Sequence, residues 1–186
     1  MGSWMRSHDT FRRHAKGILD GIRTLDQTTF LTALGKSPKV LREQFEKWHN
    51  NMGSHERYEE SRLYPFAARR WDVDTRYLTS EHGTMHSQRD LVLGLFAQLL
   101  NFEGTPAQYG TPALACAVAK LEATMADYEL YVCVHLAEEE EFIVPMFLEL
   151  TVEEYKDYED LGLTELFRKM DQQDKANGVK TKGKRR

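Results

Sequence analysis

Three pairs of residues with metal-binding side chains stand four positions apart in this sequence. They are His55 with Glu59, His82 with His86, and His135 with Glu139. If each segment is an α-helix, residues i and i+4 leave the same face of that helix. Imidazole and carboxylate groups are ligands that iron, manganese and zinc accept. Helices that face one another with such pairs can therefore build a metal site between them.

Each pair continues a stripe of apolar residues instead of lying opposite it. In the last long periodic segment the stripe advances by alternating steps of four and three, through Leu114, Val118, Leu121, Met125, Tyr128, Val132, His135, Glu139, Phe142 and Met146. This spacing is typical of the buried face of a helix. Burying an imidazole beside a carboxylate is costly unless something pairs with them. We therefore expect a cation between the helices.

His8 stands at the N-terminal end of the stripe in the first periodic segment and joins the predicted set. The predicted metal ligands are His8, His55, Glu59, His82, His86, His135 and Glu139. Seven ligands are too many for one ordinary ion, and two carboxylates that can each bridge make two ions the natural number. No cysteine stands near enough on the stripe to indicate a thiolate site.

Non-metal interpretations exist for each position taken alone. A single histidine on an apolar face is more often a hydrogen-bonded core residue than a ligand, and the acidic run Glu138 to Glu141 alone is typical of a solvated face. The joint occurrence of three pairs on the buried stripes of three predicted helices favours the metal site, because an unpaired buried set would destabilise the protein. His14 and His49 lie off the stripes and are interpreted as surface or supporting residues.

Long periodic segments separated by turn residues predict an all-α chain. Ser37 with Pro38 and Thr111 with Pro112 are typical helix starts, and Pro65 is expected to kink or end its helix. The segment 26–36 is expected to be partly helical around residues 29–34. We predict an up-down-up-down antiparallel four-helix bundle over residues 1–150, a short helical extension over 151–173, beginning with a capping box at Thr151, and a basic disordered tail over 174–186.

Composition limits the class of protein. The chain has 186 residues, which suits one domain, and a formal net charge of −4. Its last twelve residues carry six basic and no acidic side chains, so the preceding 174 residues carry −10. This acidity disfavours nucleic acid as a partner of the folded part. No secretory signal or long apolar run occurs, so we expect a cytoplasmic protein without a membrane span. Seventeen helical residues place Cys116 and Cys133 roughly 25 Å apart, so we expect no disulfide between them.

Four segments resemble the motif regions of the hemerythrin-like, or HHE cation-binding, family. They read HDTFRRHAKGI, HERYEESRLYP, EHGTMH and HLAEEEEFIVP, and the match spans residues 8–150. The resemblance implies a four-helix bundle around a non-haem di-iron centre, with two iron ions bridged by an oxo or hydroxo group. By motif, His82, His86 and His135 would bind one iron, His8 and His55 the other, and Glu59 and Glu139 would bridge them.

The chain departs from the oxygen-carrying members of that family in one place. Those proteins have an aspartate five residues after the histidine of the fourth helix, where this chain has Glu140. The helical stripe favours Glu139, since Glu140 is rotated from it by about 100°. The choice between Glu139 and Glu140 as the bridging ligand stays open at this point.

The leading functional hypothesis is a di-iron protein that binds dioxygen or a related small oxidant for sensing, storage or detoxification. An alternative is a di-iron oxidase or an enzyme that consumes peroxide or nitric oxide, in which Tyr58 and Tyr131 could tune or quench oxidants. A third hypothesis is an iron-responsive interaction domain, in which metal binding orders the bundle and an unidentified protein partner recognises that order.

Overall fold

The computed structural model describes residues 2–176, and these residues form an all-α protein, as predicted. The helices are α1 (Gly2–Arg23), α2 (Pro38–Tyr58), α3 (Tyr64–Trp71), α4 (Arg76–Leu100), α5 (Pro112–Leu148), α6 (Val152–Asp160) and α7 (Leu163–Ala176). A π-helical turn, Glu59–Leu63, joins α2 to α3, and a short 3₁₀ helix, Pro106–Gln108, precedes α5. One pair of two-residue strands, β1 (Leu25–Asp26) and β2 (Leu31–Thr32), is antiparallel.

The predicted helix starts are confirmed. The side chain of Ser37 accepts a hydrogen bond from the backbone N–H of Val40 at the start of α2, and the side chain of Thr111 accepts one from Leu114 at the start of α5. At α6, Thr151 and Glu154 form a capping box. These side chains satisfy backbone N–H groups that have no partner within their helix.

The segment between α1 and α2 is a strand pair, so the expectation of partial helix there is wrong. The carboxylate of Asp26 accepts hydrogen bonds from the backbone N–H and the hydroxyl of Thr28 and from the hydroxyl of Thr29. These bonds close a turn that competes with helix formation. Phe30 adopts a positive φ of 58°, which the strand connection requires and an α-helix would not allow.

Four long helices contact one another in a closed cycle. α1 packs against α2 and α5, and α4 packs against the same two helices. Each helix thus turns one face toward a common interior.

That interior consists of two apolar clusters separated by a polar layer. One cluster holds residues such as Phe45, Phe96 and Leu121. The other holds Leu78 and Ile143, together with residues of α3, α6 and α7. On α1, α4 and α5, His8, His82 and Glu139 lie between residues of the two clusters, and His55 and Glu59 lie between Met52 of the first cluster and Leu63 of the second. His86 instead follows Met85 of the first cluster. The polar side chains therefore meet at one level of the interior and are enclosed by apolar layers.

Helices α6 and α7 cover one end of the four long helices. Tyr158 of α6 is buried between the rings of Phe66 and Phe147, and Arg69 of α3 is paired with Asp171 and Asp174 of α7. α7 continues to Ala176, three residues beyond the predicted extension. The remainder of the predicted tail, residues 177–186, lies outside the described residues.

Within residues 2–176, no helix combines the length and the hydropathy that crossing a lipid bilayer would require.

Candidate metal centre

Six of the seven predicted ligands converge in the polar layer. They form two groups of three, His8 with His55 and Glu59, and His82 with His135 and Glu139, and the ligand atoms within each group lie within 4.8 Å of one another. Each group thus consists of two imidazoles and one carboxylate. His55 keeps about a tenth of its side chain exposed, and the other five are almost completely buried.

Each of the four long helices contributes to the cluster. α1 supplies His8, α2 supplies His55, α4 supplies His82, and α5 supplies His135 with Glu139 one turn later. Glu59 is the first residue of the π-helical turn that follows α2. Because these helices also bury apolar residues on both sides of the cluster, their packing fixes the positions of the ligand atoms.

The distances in the first group are short. The Nε2 atom of His55 lies 2.8 Å from Oε1 of Glu59 and 2.8 Å from Nε2 of His8. The Nε2 atom of His8 also lies 3.7 Å from Oε1 of Glu59. Two imidazole nitrogens approach this closely when a proton or a metal ion is shared between them. A proton or a metal ion shared between these nitrogens would account for the short distances of the first group.

The two carboxylates connect the groups. Oε2 of Glu139 lies 3.6 Å from Nε2 of His135 in its own group and 3.6 Å from Nε2 of His8 in the other. Oε2 of Glu59 lies 3.7 Å from Nε2 of His82 across the cluster. Atoms that each bind one ion at ~2.0–2.2 Å, about 90–120° apart at the ion, are separated by roughly 2.9–3.7 Å. These separations therefore suit shared coordination better than direct hydrogen bonding.

Three outer carboxylates orient three of the four imidazoles. Glu140 lies 2.9 Å from Nδ1 of His8, Glu60 lies 2.8 Å from Nδ1 of His82, and Glu81 lies 2.8 Å from Nδ1 of His135. An ionised carboxylate only accepts hydrogen bonds, so each Nδ1 carries the proton and each Nε2 turns a lone pair toward the cluster. Metal-binding histidines typically have this kind of support, which fixes the tautomer and increases the basicity of the ligand nitrogen.

Two aromatic side chains donate hydrogen bonds to the carboxylates of the cluster. The indole N–H of Trp4 donates to Oε1 of Glu59 at 2.6 Å, and the hydroxyl of Tyr64 donates to Oε1 of Glu139. Both rings are buried. Each inner carboxylate thus has one oxygen held by a protein donor and the other directed into the cluster.

The second oxygen of each inner carboxylate is buried without a hydrogen-bond partner among the described residues. These two atoms are Oε2 of Glu59 and Oε2 of Glu139. Leaving a buried charged acceptor unsatisfied is costly. Oε2 of Glu139 faces imidazole nitrogens of both groups, and Oε2 of Glu59 faces His82 of the other group. A cation placed there would satisfy these oxygens and nitrogens together. The donor set therefore fits metal ions.

The pKa values of the inner groups show how the same cluster behaves without a metal. Burial and the nearby charge of Glu59 raise the pKa of Glu139 well above that of an ordinary carboxyl. Burial also opposes ionisation of Glu59, but its interactions with His55 and His8 lower its pKa to about 2. Burial and repulsion from His82 lower the pKa of His135 to about 4. Of these three groups, Glu139 is thus the one that would hold a proton in the absence of a metal, and metal binding would displace that proton.

His86 lies outside the cluster. Its side chain is 47% exposed, and its Nε2 atom lies 2.7 Å from Oε2 of Glu56. His86 follows His82 by one helical turn, which moves it roughly 6 Å along α4. At that level its ring contacts the ring of His49, 5.5 Å away between centroids, instead of the convergent imidazoles.

The choice between Glu139 and Glu140 has a clear geometric basis. Glu139 is fully buried in the cluster. Glu140 lies at its periphery, 22% exposed, where it accepts hydrogen bonds from His8 and from Arg12. The two tyrosines considered from the sequence, Tyr58 and Tyr131, do not contact the inner carboxylates by any described hydrogen bond.

Sequence reasoning missed Tyr64 because the helix changes type before it. In an α-helix, Tyr64 would be rotated away from Glu59, five residues earlier. In the π-helical turn, the backbone N–H of Tyr64 bonds to the carbonyl oxygen of Glu59, so a residue and its fifth successor share a face. Pro65, which follows at once, lacks the N–H that a regular helix would use. Pro65 was therefore the sequence signal for an irregular turn. The chain does not leave the helix at Pro65, however, because α3 continues to Trp71.

No protein-family model matches this chain, and neither the curated proteins nor the solved structures provide a match. The chemistry of the cluster is therefore inferred from its own geometry.

Proposed function

We propose that this chain is a hemerythrin-like protein whose four long helices form an up-down-up-down antiparallel bundle around a non-haem di-iron centre. The observation that carries the proposal is the pair of unsatisfied, buried carboxylate oxygens of Glu59 and Glu139, which lie within 3.7 Å of imidazole nitrogens of His8, His82 and His135. The resemblance of four motif segments to that family supports the choice of iron, since the donor set alone also suits manganese and zinc.

His8 and His55 would hold one iron, and His82 and His135 the other. Glu59 and Glu139 each contact imidazoles of both groups, so they would serve as bridging ligands. When bound, the irons would supply reversible one-electron chemistry and open positions for a small oxidant. Four imidazoles and two carboxylates do not saturate two ions that each prefer five or six ligands. His86 is left out of this proposed ligand set because of its position.

The chain's own residues prepare the site for this role. Glu60, Glu81 and Glu140 hold three imidazoles in the tautomer that presents Nε2. The apolar clusters on both sides limit water, while dioxygen, being small and apolar, can pass through such packing. We therefore propose dioxygen or a related small oxidant as the ligand, for sensing, storage or detoxification.

A second candidate function is the consumption of peroxide or another oxidant. It is favoured by the direct hydrogen bonds from Trp4 to Glu59 and from Tyr64 to Glu139, since indole and phenol side chains can both supply an electron and a proton. Sustained peroxide consumption by iron-loaded protein, lost in His135→Ala, would support this candidate. Reversible oxygen binding without turnover would exclude it.

Optical spectroscopy of the iron-loaded protein tests the proposal. Anaerobic reduction followed by admission of air should remove and then restore ligand-to-metal charge-transfer absorption. The matched control is His14→Ala, which removes an exposed imidazole from α1 and should behave as the wild-type protein. An iron-loaded protein whose spectrum does not respond to reduction or to air would contradict the proposed function.

A further inference from the structure

A cleft opens on the side of the metal cluster where His55 is exposed. Its volume is about 420 Å³, which is in the range of sites that bind small organic molecules. His55 and Trp4 are among the residues that line it. Both belong to the cluster or contact it directly, since the indole of Trp4 donates to Glu59. A molecule bound in this cleft would lie against the metal site.

Part of the cleft wall is aromatic and apolar. Leu63, Phe147 and Tyr158 line it together with Trp4. The hydroxyls of Tyr58 and Tyr158 are hydrogen-bonded to each other with an oxygen–oxygen distance of 2.6 Å. Because Tyr158 belongs to α6, the helical extension forms one wall of the cleft. These surfaces suit a flat, apolar body.

The cleft also contains a cation, Arg62, without an acidic partner among the described residues. Its guanidinium stacks over the ring of Tyr158 at 4.8 Å from the centroid, and one N–H donates to the carbonyl oxygen of Leu161 at 3.0 Å. The nearby arginines of α3 differ, because Arg69 and Arg70 are each paired with carboxylates of α6 or α7. Arg62 is thus held in place by neutral groups, with further N–H groups available to a ligand.

The other charged residue of the lining is Glu159. The hydroxyl of Tyr155 is hydrogen-bonded to it, so its carboxylate already has a partner. A planar guanidinium matches a carboxylate with two parallel hydrogen bonds. Arg62, which has no described acidic partner, is therefore the charged group of the cleft that would bind an anion.

We propose that this cleft binds a small organic anion, a carboxylate attached to a flat apolar or aromatic body, and places it beside His55. The carboxylate pairs with Arg62, and the body packs between Trp4, Phe147 and Tyr158. The role of the bound anion as a substrate or co-substrate of the metal cluster rests on the proposed function. Binding itself does not, because every contact invoked belongs to the protein.

Calorimetric titration of the full chain with benzoate tests the proposal, with metal content measured in the same sample. Benzoate should bind saturably at one site, and Arg62→Met should weaken binding by about tenfold or more, since a charge-assisted pair is lost. Arg62→Lys retains the positive charge but cannot form two parallel hydrogen bonds to a carboxylate, so it should weaken binding less than Arg62→Met does. Glu159→Gln should strengthen binding by removing a repulsive charge.

Arg57→Met is the matched control, because Arg57 is an exposed residue of α2 outside the cleft whose described side-chain hydrogen bond is to Ser54. It should bind benzoate as the wild type does. Thermal unfolding of each variant separates lost binding from lost folding, and Glu159→Gln gives a gain that misfolding cannot produce. Equal binding by Arg62→Met and Arg57→Met, or tighter binding of benzylamine than of benzoate, would overturn the proposal.

The two proposals fail in different ways. A chain that binds benzoate through Arg62 but holds no metal would contradict the proposed function and leave the cleft assignment intact. A metal-containing chain that does not bind benzoate would overturn the cleft assignment alone.

Discussion

The Nδ1 atom of His135 lies 2.8 Å from a carboxylate oxygen of Glu81, so the opposite nitrogen of this ring is turned toward the cluster. His8 and His82 have the same relationship with Glu140 and Glu60. The repetition on three helices indicates that the protein controls the tautomer of its inner imidazoles.

Removing one of these outer carboxylates should weaken metal binding without removing a ligand. We expect Glu81→Gln to lower metal affinity roughly 10- to 100-fold, as is typical of partners of metal-binding histidines. Competition with a chelator measures the effect. Glu138→Gln is the control, because Glu138 is an exposed neighbour on α5. Equal metal retention by both variants would show that the outer carboxylates do not support the site.

The two histidines of α4, His82 and His86, should differ in their effect on metal content. His82→Ala removes an inner ligand and should lower the metal content by at least one of the two ions. His86→Ala should retain full metal content, because His86 is half-exposed and contacts Glu56 instead of the cluster. Elemental analysis of both variants decides between the six-ligand set and the seven-ligand set. Loss of metal from His86→Ala would restore the larger set.

Tyr64→Phe should destabilise the metal-free protein. The substitution leaves an oxygen of the fully buried Glu139 without its donor, which costs about 1–3 kcal/mol in the free energy of unfolding. Urea unfolding in the presence of a chelator measures the change. Tyr77→Phe is the control, since Tyr77 is 44% exposed and its replacement should change stability by less than about 0.5 kcal/mol. Equal stabilities for the two variants would argue against the Tyr64 hydrogen bond.

His49 should make the metal-free protein less stable in acid. Burial, together with the positive charges of Arg89 and His86, lowers its pKa to about 4, although Asp90 acts in the opposite direction. The unfolded chain, in which the imidazole has its ordinary pKa of about 6.5, binds more protons between these values. The contribution of His49 to the free energy of unfolding is therefore fully present above pH ~6.5, and it is lost progressively as the pH falls toward 4.

His49→Gln lacks this titration, so its unfolding free energy should depend less steeply on pH than that of the wild type across that interval. Urea unfolding at several pH values measures both slopes. His14→Gln, a substitution at an exposed position of α1, serves as the control. Parallel profiles for wild type and His49→Gln would contradict the prediction.

The sequence allowed the helices and most of the inner cluster to be predicted, because helical periodicity relates residues on one face. His55 and Glu59, and likewise His135 and Glu139, meet for this reason. Periodicity does not reveal how far along its helix each residue stands relative to the neighbouring helices. His86 was included for that reason, although it lies one turn beyond the level of the cluster.

The supporting residues could not be predicted because they do not lie on the apolar stripes. Glu60 and Glu140 each follow an inner glutamate by one position, which places them at the edge of an interface instead of its centre. Trp4 and Tyr64 reach the carboxylates through tertiary packing and through a π-helical turn, respectively. Their contacts depend on the relative placement of whole helices, which local sequence patterns do not encode.

Metal content measured directly on the purified chain is the most direct test of the central claim that two cations satisfy the buried carboxylates and imidazoles. The chain should be produced with iron in the medium, purified without chelators, and analysed for iron, manganese and zinc against protein concentration. The account predicts close to two ions per chain, predominantly iron, and their loss in the Glu59→Gln/Glu139→Gln double variant. A ratio near zero for all three metals, also after incubation of the folded protein with ferrous iron, would contradict it.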